Sequence, residues 1–155
     1  MKRTTQAGFT MIELVIIAGI LSLTIVGMVR LFIFTSVGAQ LAGNKTQAIS
    51  EAEKKLAEIR NYSFDDISTD YESGGTMGNT FNPSHFDGPA KGVVYIDDTN
   101  AELLIIDTVV CWEDKYGRII GEDINLNGTL DTGEDLNSNG KIDSIVELST
   151  MLTRR

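Results

Sequence analysis

The hydrophobic pattern changes character twice along the chain. From Leu14 to Val29 it reads LVIIAGILSLTIVGMV, sixteen residues without a charge. Phe9, Met11 and Ile12 extend this run upstream past Glu13, and Leu31 to Phe34 extend it downstream past Arg30. A bilayer's hydrocarbon core needs about 20 apolar residues in a helix, and residues 9–29 supply that length if one acid is tolerated. The pattern then turns amphipathic. Ala42, Ile49, Ala52, Leu56 and Ile59 recur at helical spacings, which places them on one face. Gln40, Asn44, Gln47, Glu51, Lys54, Lys55 and Glu58 fill the other, with Glu51 four before Lys55 in the favourable order for a pair. No proline precedes Pro83. The pattern predicts one helix from about Phe9 to Arg60, roughly 75 Å long at 1.5 Å per residue. Its half over 9–35 is apolar all round, and its half over 36–60 is amphipathic.

Beyond Arg60 the periodicity stops. Gly74-Gly75, Gly78-Asn79, Asn82-Pro83 and Gly88-Pro89 mark turns, so residues 61–92 read as a long loop. Its aromatics Tyr62, Phe64, Tyr71, Phe81 and Phe86 read as pins holding it to a sheet. His85 receives no role. Strand patterns follow at 92–96 (GVVYI), at 103–112 (LLIIDTVVCW, with Asp107 as an expected interruption or edge), from Arg118 and at 145–152. The fold class is α+β: a long N-terminal helical spine packed on a small antiparallel head over 61–155, with an insertion at 122–147 between its last two strands.

Composition narrows the function. Apolar residues make up 42% and charged residues 23%, ordinary for a folded chain. The balance of 22 acids and 13 bases, −9, opposes a nucleic-acid partner. Residues 61–155 alone hold 18 acids and six bases. One cysteine, Cys111, excludes an intrachain disulfide and a cysteine-rich zinc site. It reads as a small buried hydrophobe, with an intermolecular disulfide as the alternative. With one histidine, and no nucleophile, base and orienting group together, no enzyme is expected. Lys2 and Arg3 before the apolar run favour a cytoplasmic N-terminus, with the remainder outside the cytoplasm. The run is too long for an ordinary secretory signal, and no small-residue cleavage site follows it.

Glu13 lies inside the apolar run. A carboxylate in hydrocarbon is costly, which makes it a functional candidate. The plainer alternative is an interfacial position where it reaches headgroups or water. Lys2 to Val15 read KRTTQAGFTMIELV. This resembles the N-terminal signature of type IV pilins and type II secretion pseudopilins: a basic leader ending in Gly (Gly8), an aromatic (Phe9), and an acid at the fifth position after the Gly (Glu13). Met11 stands where Leu is commoner. The resemblance covers the first third of the chain. It implies a prepilin peptidase that removes leader 1–8 by cutting between Gly8 and Phe9 and methylates the new Phe9 amine. It also implies an inner-membrane assembly platform and partner subunits that meet through the helix. Glu13 of one subunit would then pair with the Phe9 amine of its neighbour and set the axial register. Gly19 and Gly27 read either as sites of local melting and close helix approach or as the glycine common in membrane helices.

The insertion carries a second signal. DINLNGTLDTGE (123–134) and DLNSNGKIDSIV (135–146) form a tandem twelve-residue repeat, D-x-N-x-N-G-x-x-D. The spacing matches the calcium loop of EF-hands. The first loop offers Asp123, Asn125, Asn127, the Thr129 carbonyl, Asp131 through a water, and Glu134, with Gly128 at the sharp turn. The second offers Asp135, Asn137, Asn139, the Lys141 carbonyl and Asp143, with Gly140 at the turn. Its twelfth position is Val146, Glu147 stands one residue late, and Lys141 brings an opposing charge, so a weaker or incomplete site is expected. The simpler alternative is plain Asn-Gly turns. Against it, seven carboxylates and one lysine occupy 122–147 with little apolar residue to fold them. Major pseudopilins also carry calcium in a C-terminal loop, a loose parallel.

The sequence thus reads as a minor pilin or pseudopilin, a structural subunit with a calcium-stabilised head, first in the cytoplasmic membrane and then in a periplasmic or surface filament. The rivals are a non-polymerising anchored calcium-binding protein and a DNA-uptake pilin, the latter opposed by the acidic head.

Overall fold

The computed structural model describes residues 9–86 and 88–154. Residues 1–8, expected to be a leader ending at Gly8, lie outside them. Thr10 starts the first helix: its Oγ1 accepts the Glu13 N–H at 3.3 Å, half of the T-x-x-E capping box. From there α1 runs unbroken over Met11–Ile59, 49 residues. At its end the Asn61 side chain donates to the Ala57 carbonyl at 3.0 Å, closing one of the orphan acceptors of the last turn. The chain divides into two compact units, residues up to Gln40 and residues from Leu41 on.

In the first unit, the apolar side chains from Phe9 to Phe34 are exposed. α1 is long and apolar enough to cross a membrane. The hydroxyls of its uncharged run, residues 14–29, are satisfied within the helix: Ser22 donates to the Ala18 carbonyl at 2.6 Å and Thr24 to that of Ile20 at 2.8 Å. No polar hydrogen of these side chains is left for hydrocarbon to strand.

The second unit is an α+β fold with a five-stranded antiparallel sheet: β1 (Thr80–Phe81), β2 (Ala90–Asn100), β3 (Leu103–Glu113), β4 (Ile119–Ile120) and β5 (Glu147–Thr153). β2 and β3 form a long hairpin running from Ala90 opposite Trp112 to Asn100 opposite Leu103. β3's other edge is shared. β4 pairs with Trp112 and Glu113, and β5 pairs with Leu103 to Val109. The insertion therefore leaves and rejoins the same edge.

Alternation along β3 separates two cores. Leu104, Ile106, Val110 and Trp112 face α1, where Ala48, Ala52, Leu56 and Ile59 are buried in the same two clusters. Val109 and Cys111 face the other way and, with Val93, pack on Ile142, Leu126 and Leu130 of the insertion. The apolar stripe on α1 is as expected from Ala52 onward, but Ala48 is buried and Ala42 is exposed. Glu51, assigned to the polar face, is buried. Its expected pairing with Lys55 is replaced by Lys54–Glu51 at 3.8 Å and Lys55–Glu58 at 2.8 Å.

The stretch read as one long loop contains a short helix, α2 (Phe64–Asp70), and β1. Its aromatics do pin it: Tyr71 is buried with Phe64 and Phe81 around it, and Phe86 lies 5.7 Å from the Trp112 ring. Asp107 does not interrupt β3. It sits mid-strand opposite Tyr95 and Ser149 and holds Lys141 at 3.1 Å.

Candidate functional site

The two repeats of the insertion fold alike, residue for residue. In the first, the Asp123 carboxylate accepts the N–H of Asn127 at 3.0 Å and of Gly128 at 2.8 Å. In the second, Asp135 accepts from Asn139 at 3.0 Å and Gly140 at 2.9 Å. The fourth and sixth residues of each loop are left-handed: Leu126 and Gly128 at φ 55° and 79°, Ser138 and Gly140 at 62° and 77°. A side chain at Gly128 would also meet Thr80 Cγ2 at 2.6 Å, so its glycine serves conformation and clearance together. Asn125 and Asn127 donate to Asp131 at 2.7 and 2.9 Å, and Asn139 to Asp143 at 2.9 Å, as Asn137 also does. The Thr129 N–H reaches Asn127 Oδ1 at 2.6 Å, and the Lys141 N–H reaches Asn139 Oδ1 at 2.8 Å.

One of the two closing carboxylates crosses over. Glu134 accepts from Ile124 N and Asp131 N, both at 2.9 Å, the second and ninth residues of its own loop. In the second loop those positions are Leu136 and Asp143. Their amides are taken by Glu122, at 3.2 and 3.1 Å. Glu147, the residue expected to close that loop, is in β5 opposite Val109. The sequence carries the signal in its own repeat: Glu122-Asp123 and Glu134-Asp135 recur at the twelve-residue period. A reading that ends each loop at its twelfth position passes over a glutamate ahead of the first.

Lys141 does not face the second loop. Its ammonium is held by Asp107 and lies 5.3 Å from the Tyr95 ring centre. The insertion also has more apolar anchorage than expected. Leu130 and Ile142, eighth in their loops, pack on the back of the sheet, and Ile142 is fully buried.

Electrostatically the loops are incomplete. Asp123 is 0% exposed, Glu134 4% and Glu122 9%. Backbone amides hold all three, while the observed ion pairs involve none of them. Burying several carboxylates together is costly without a compensating positive charge. Among the described residues no three His, Cys, Asp or Glu side chains stand as a ready metal cluster. The donors that fit are mixed: Asp and Glu carboxylates, Asn carboxamides and one backbone carbonyl per loop. That all-oxygen set suits a hard cation such as calcium.

A second polar cluster fastens residues 84–85 to α1. The Ser84 hydroxyl donates to Glu51 Oε1 at 3.0 Å, and His85 Nδ1 lies 2.9 Å from the same oxygen and 2.8 Å from Ser84 Oγ. Burial pushes the Glu51 carboxyl up, but these hydrogen bonds and the Lys54 charge outweigh it and leave the carboxyl below its ordinary value. A relay would place acid and hydroxyl on opposite imidazole nitrogens. Here both use Nδ1, so the trio is a fastening.

Glu13 stands in the first turn of α1, where the helix dipole favours an anion by about 0.3–1 kcal/mol. Its amide is capped by Thr10. The T-x-x-E spacing announces this local role, which the sequence reading overlooked. Compared with known protein families, with curated proteins and with solved structures, the chain finds no match.

Proposed function

We propose that the chain is a structural subunit of a pilin-like filament, a minor pilin or pseudopilin of a type IV pilus or type II secretion pseudopilus. It is inserted by α1 in the cytoplasmic membrane with its head outside the cytoplasm. A prepilin peptidase cuts after Gly8, and an inner-membrane platform then moves the chain into a filament through contacts between helices. One observation carries the reading: an unbroken helix, Met11–Ile59, that is capped by Thr10, has an acid in its first turn and exposes a mostly apolar, uncharged surface from Leu14 to Val29. Such a surface must be covered by lipid or by other helices. Mass measurement of the mature N-terminus after purification from membranes tests this. A chain beginning at Phe9, heavier by one methyl group, is expected. An uncut chain returns the protein to a plain anchored one.

The head is stabilised by calcium in this reading. Asp123, Asn125, Asn127, the Thr129 carbonyl, Asp131 and Glu134 hold one ion. Asp135, Asn137, Asn139, the Lys141 carbonyl, Asp143 and Glu122 hold a second. The ions supply the positive charge that the buried carboxylates lack. A ligand selective for the folded state raises Tm by mass action. Calcium should therefore raise the melting temperature of the full chain in detergent, and an unchanged Tm between calcium and chelator ends the metal proposal.

A further inference from the structure

β5 has one open edge. Val110 donates to the Val146 carbonyl at 3.2 Å and Arg154 to that of Glu102 at 3.1 Å. Even-numbered residues of β5 thus carry the ladder to β3, and the amides and carbonyls of Glu147, Ser149, Met151 and Thr153 point outward. Among the described residues no strand pairs with them. Folded proteins usually blunt such an edge with charges, proline, a bulge or a cover. The free end of β2 does so, with Asp97, Asp98 and a register shift. β5, reading ELSTMLT, has one charge at its start and none of the other devices.

Alongside this edge runs a groove of about 650 Å³, between Met151–Arg154 and the segment that joins α1 to α2. Phe64 and Ile67 give it apolar walls. Its charge is opposite to that of its surroundings, because Arg60 and Arg154 flank it in a head that is otherwise strongly acidic. Arg154 is bound to Asp65. Arg60 donates to the Thr150 hydroxyl and has no carboxylate partner among the described residues.

We propose that the outer edge of β5 and this groove bind an extended, carboxylate-bearing segment of a partner protein. The segment adds to the sheet as a further strand. The outward backbone groups of Ser149 and Met151 supply its ladder, alternate side chains enter the groove, and a carboxylate meets the Arg60 guanidinium. This is independent of the metal and of the membrane helix.

The test uses the full chain in detergent micelles and a fluorescein-labelled heptapeptide of alternating valine and glutamate, read by fluorescence anisotropy. Saturable binding is expected. Replacing the peptide's glutamates by glutamine, or Arg60→Gln in the protein, should each weaken it about tenfold, as loss of a charge-assisted bond does. The same peptide N-methylated at every second residue loses its ladder and should not bind. Met151→Pro, which removes an outward amide and no bond to β3, should act likewise. Because the N-methylated peptide leaves the protein unaltered, it decides the matter even if that variant does not fold. Absence of saturable binding, undiminished binding of the N-methylated peptide, or indifference to both charge changes overturns the proposal.

Discussion

At the scale of single residues, Glu122 is the most instructive. It stands outside both repeats as they were first delimited, yet it grips Leu136 and Asp143 in the second loop as Glu134 grips Ile124 and Asp131 in the first. If calcium fills both loops, Glu122→Gln should reduce the ions bound per chain from two to one by isothermal titration, while Glu147→Gln leaves the number unchanged. The converse result would return the closing role to Glu147. Ile142 anchors the same insertion from beneath. Ile142→Ala should lower the head's stability by about 2–4 kcal/mol, a typical cost for emptying a packed aliphatic site, measured as a shifted urea midpoint. Cys111 is sealed under that anchor, and burial pushes its thiol up to about 11. It should stay inert to thiol reagents in the native state and react on unfolding. A fast native reaction would show that the insertion opens.

At the scale of elements, α1 illustrates what a sequence can and cannot convey. Its continuity was legible because grease, an amphipathic stripe and the absence of proline all agreed. Glu51 was misplaced because helical periodicity gives a direction and not a neighbour. What covers it is Ser84 and His85, more than thirty residues away in sequence. α2 and β1 escaped notice for a similar reason. Seven and two residues are too few to show a period, and burial of Tyr71 and packing of Phe81 against the same cluster fix them. The strands, rich in β-branched side chains, were plain, although β2 extends further than its apolar core suggested. Glu13 offers a test in which local and assembly roles part. Glu13→Gln keeps the backbone amide that Thr10 caps and a side chain that a capping box tolerates, but removes the charge. The helix should persist by circular dichroism while filament incorporation falls at least tenfold. Undiminished incorporation would leave Glu13 with capping alone.

At the scale of the molecule, acid should loosen the head where α1 meets its loops. Burial raises the Glu51 and Glu58 carboxyls, but their hydrogen bonds prevail, from His85 and Ser84 to Glu51 and from Lys55 and Tyr71 to Glu58, and both end below the ordinary 4.5. A carboxyl depressed in the folded state lends stability that is present above its unfolded value and lost as pH falls through the folded one. Tm should therefore hold from neutrality to about pH 5 and then fall below the ordinary 4.5 of these carboxyls. Glu51→Gln should flatten that decline, and a variant that declines as steeply as the parent would clear Glu51.

The borrowed glutamate has a genealogical consequence. The first twelve-residue unit closes on Glu134, a residue of its own, whereas the second closes on Glu122, which precedes the first. The backbone of Glu122 already touches that of Asp143, 2.8 Å from amide to carbonyl. The first unit can thus be inherited alone, whereas the second must travel with Glu122.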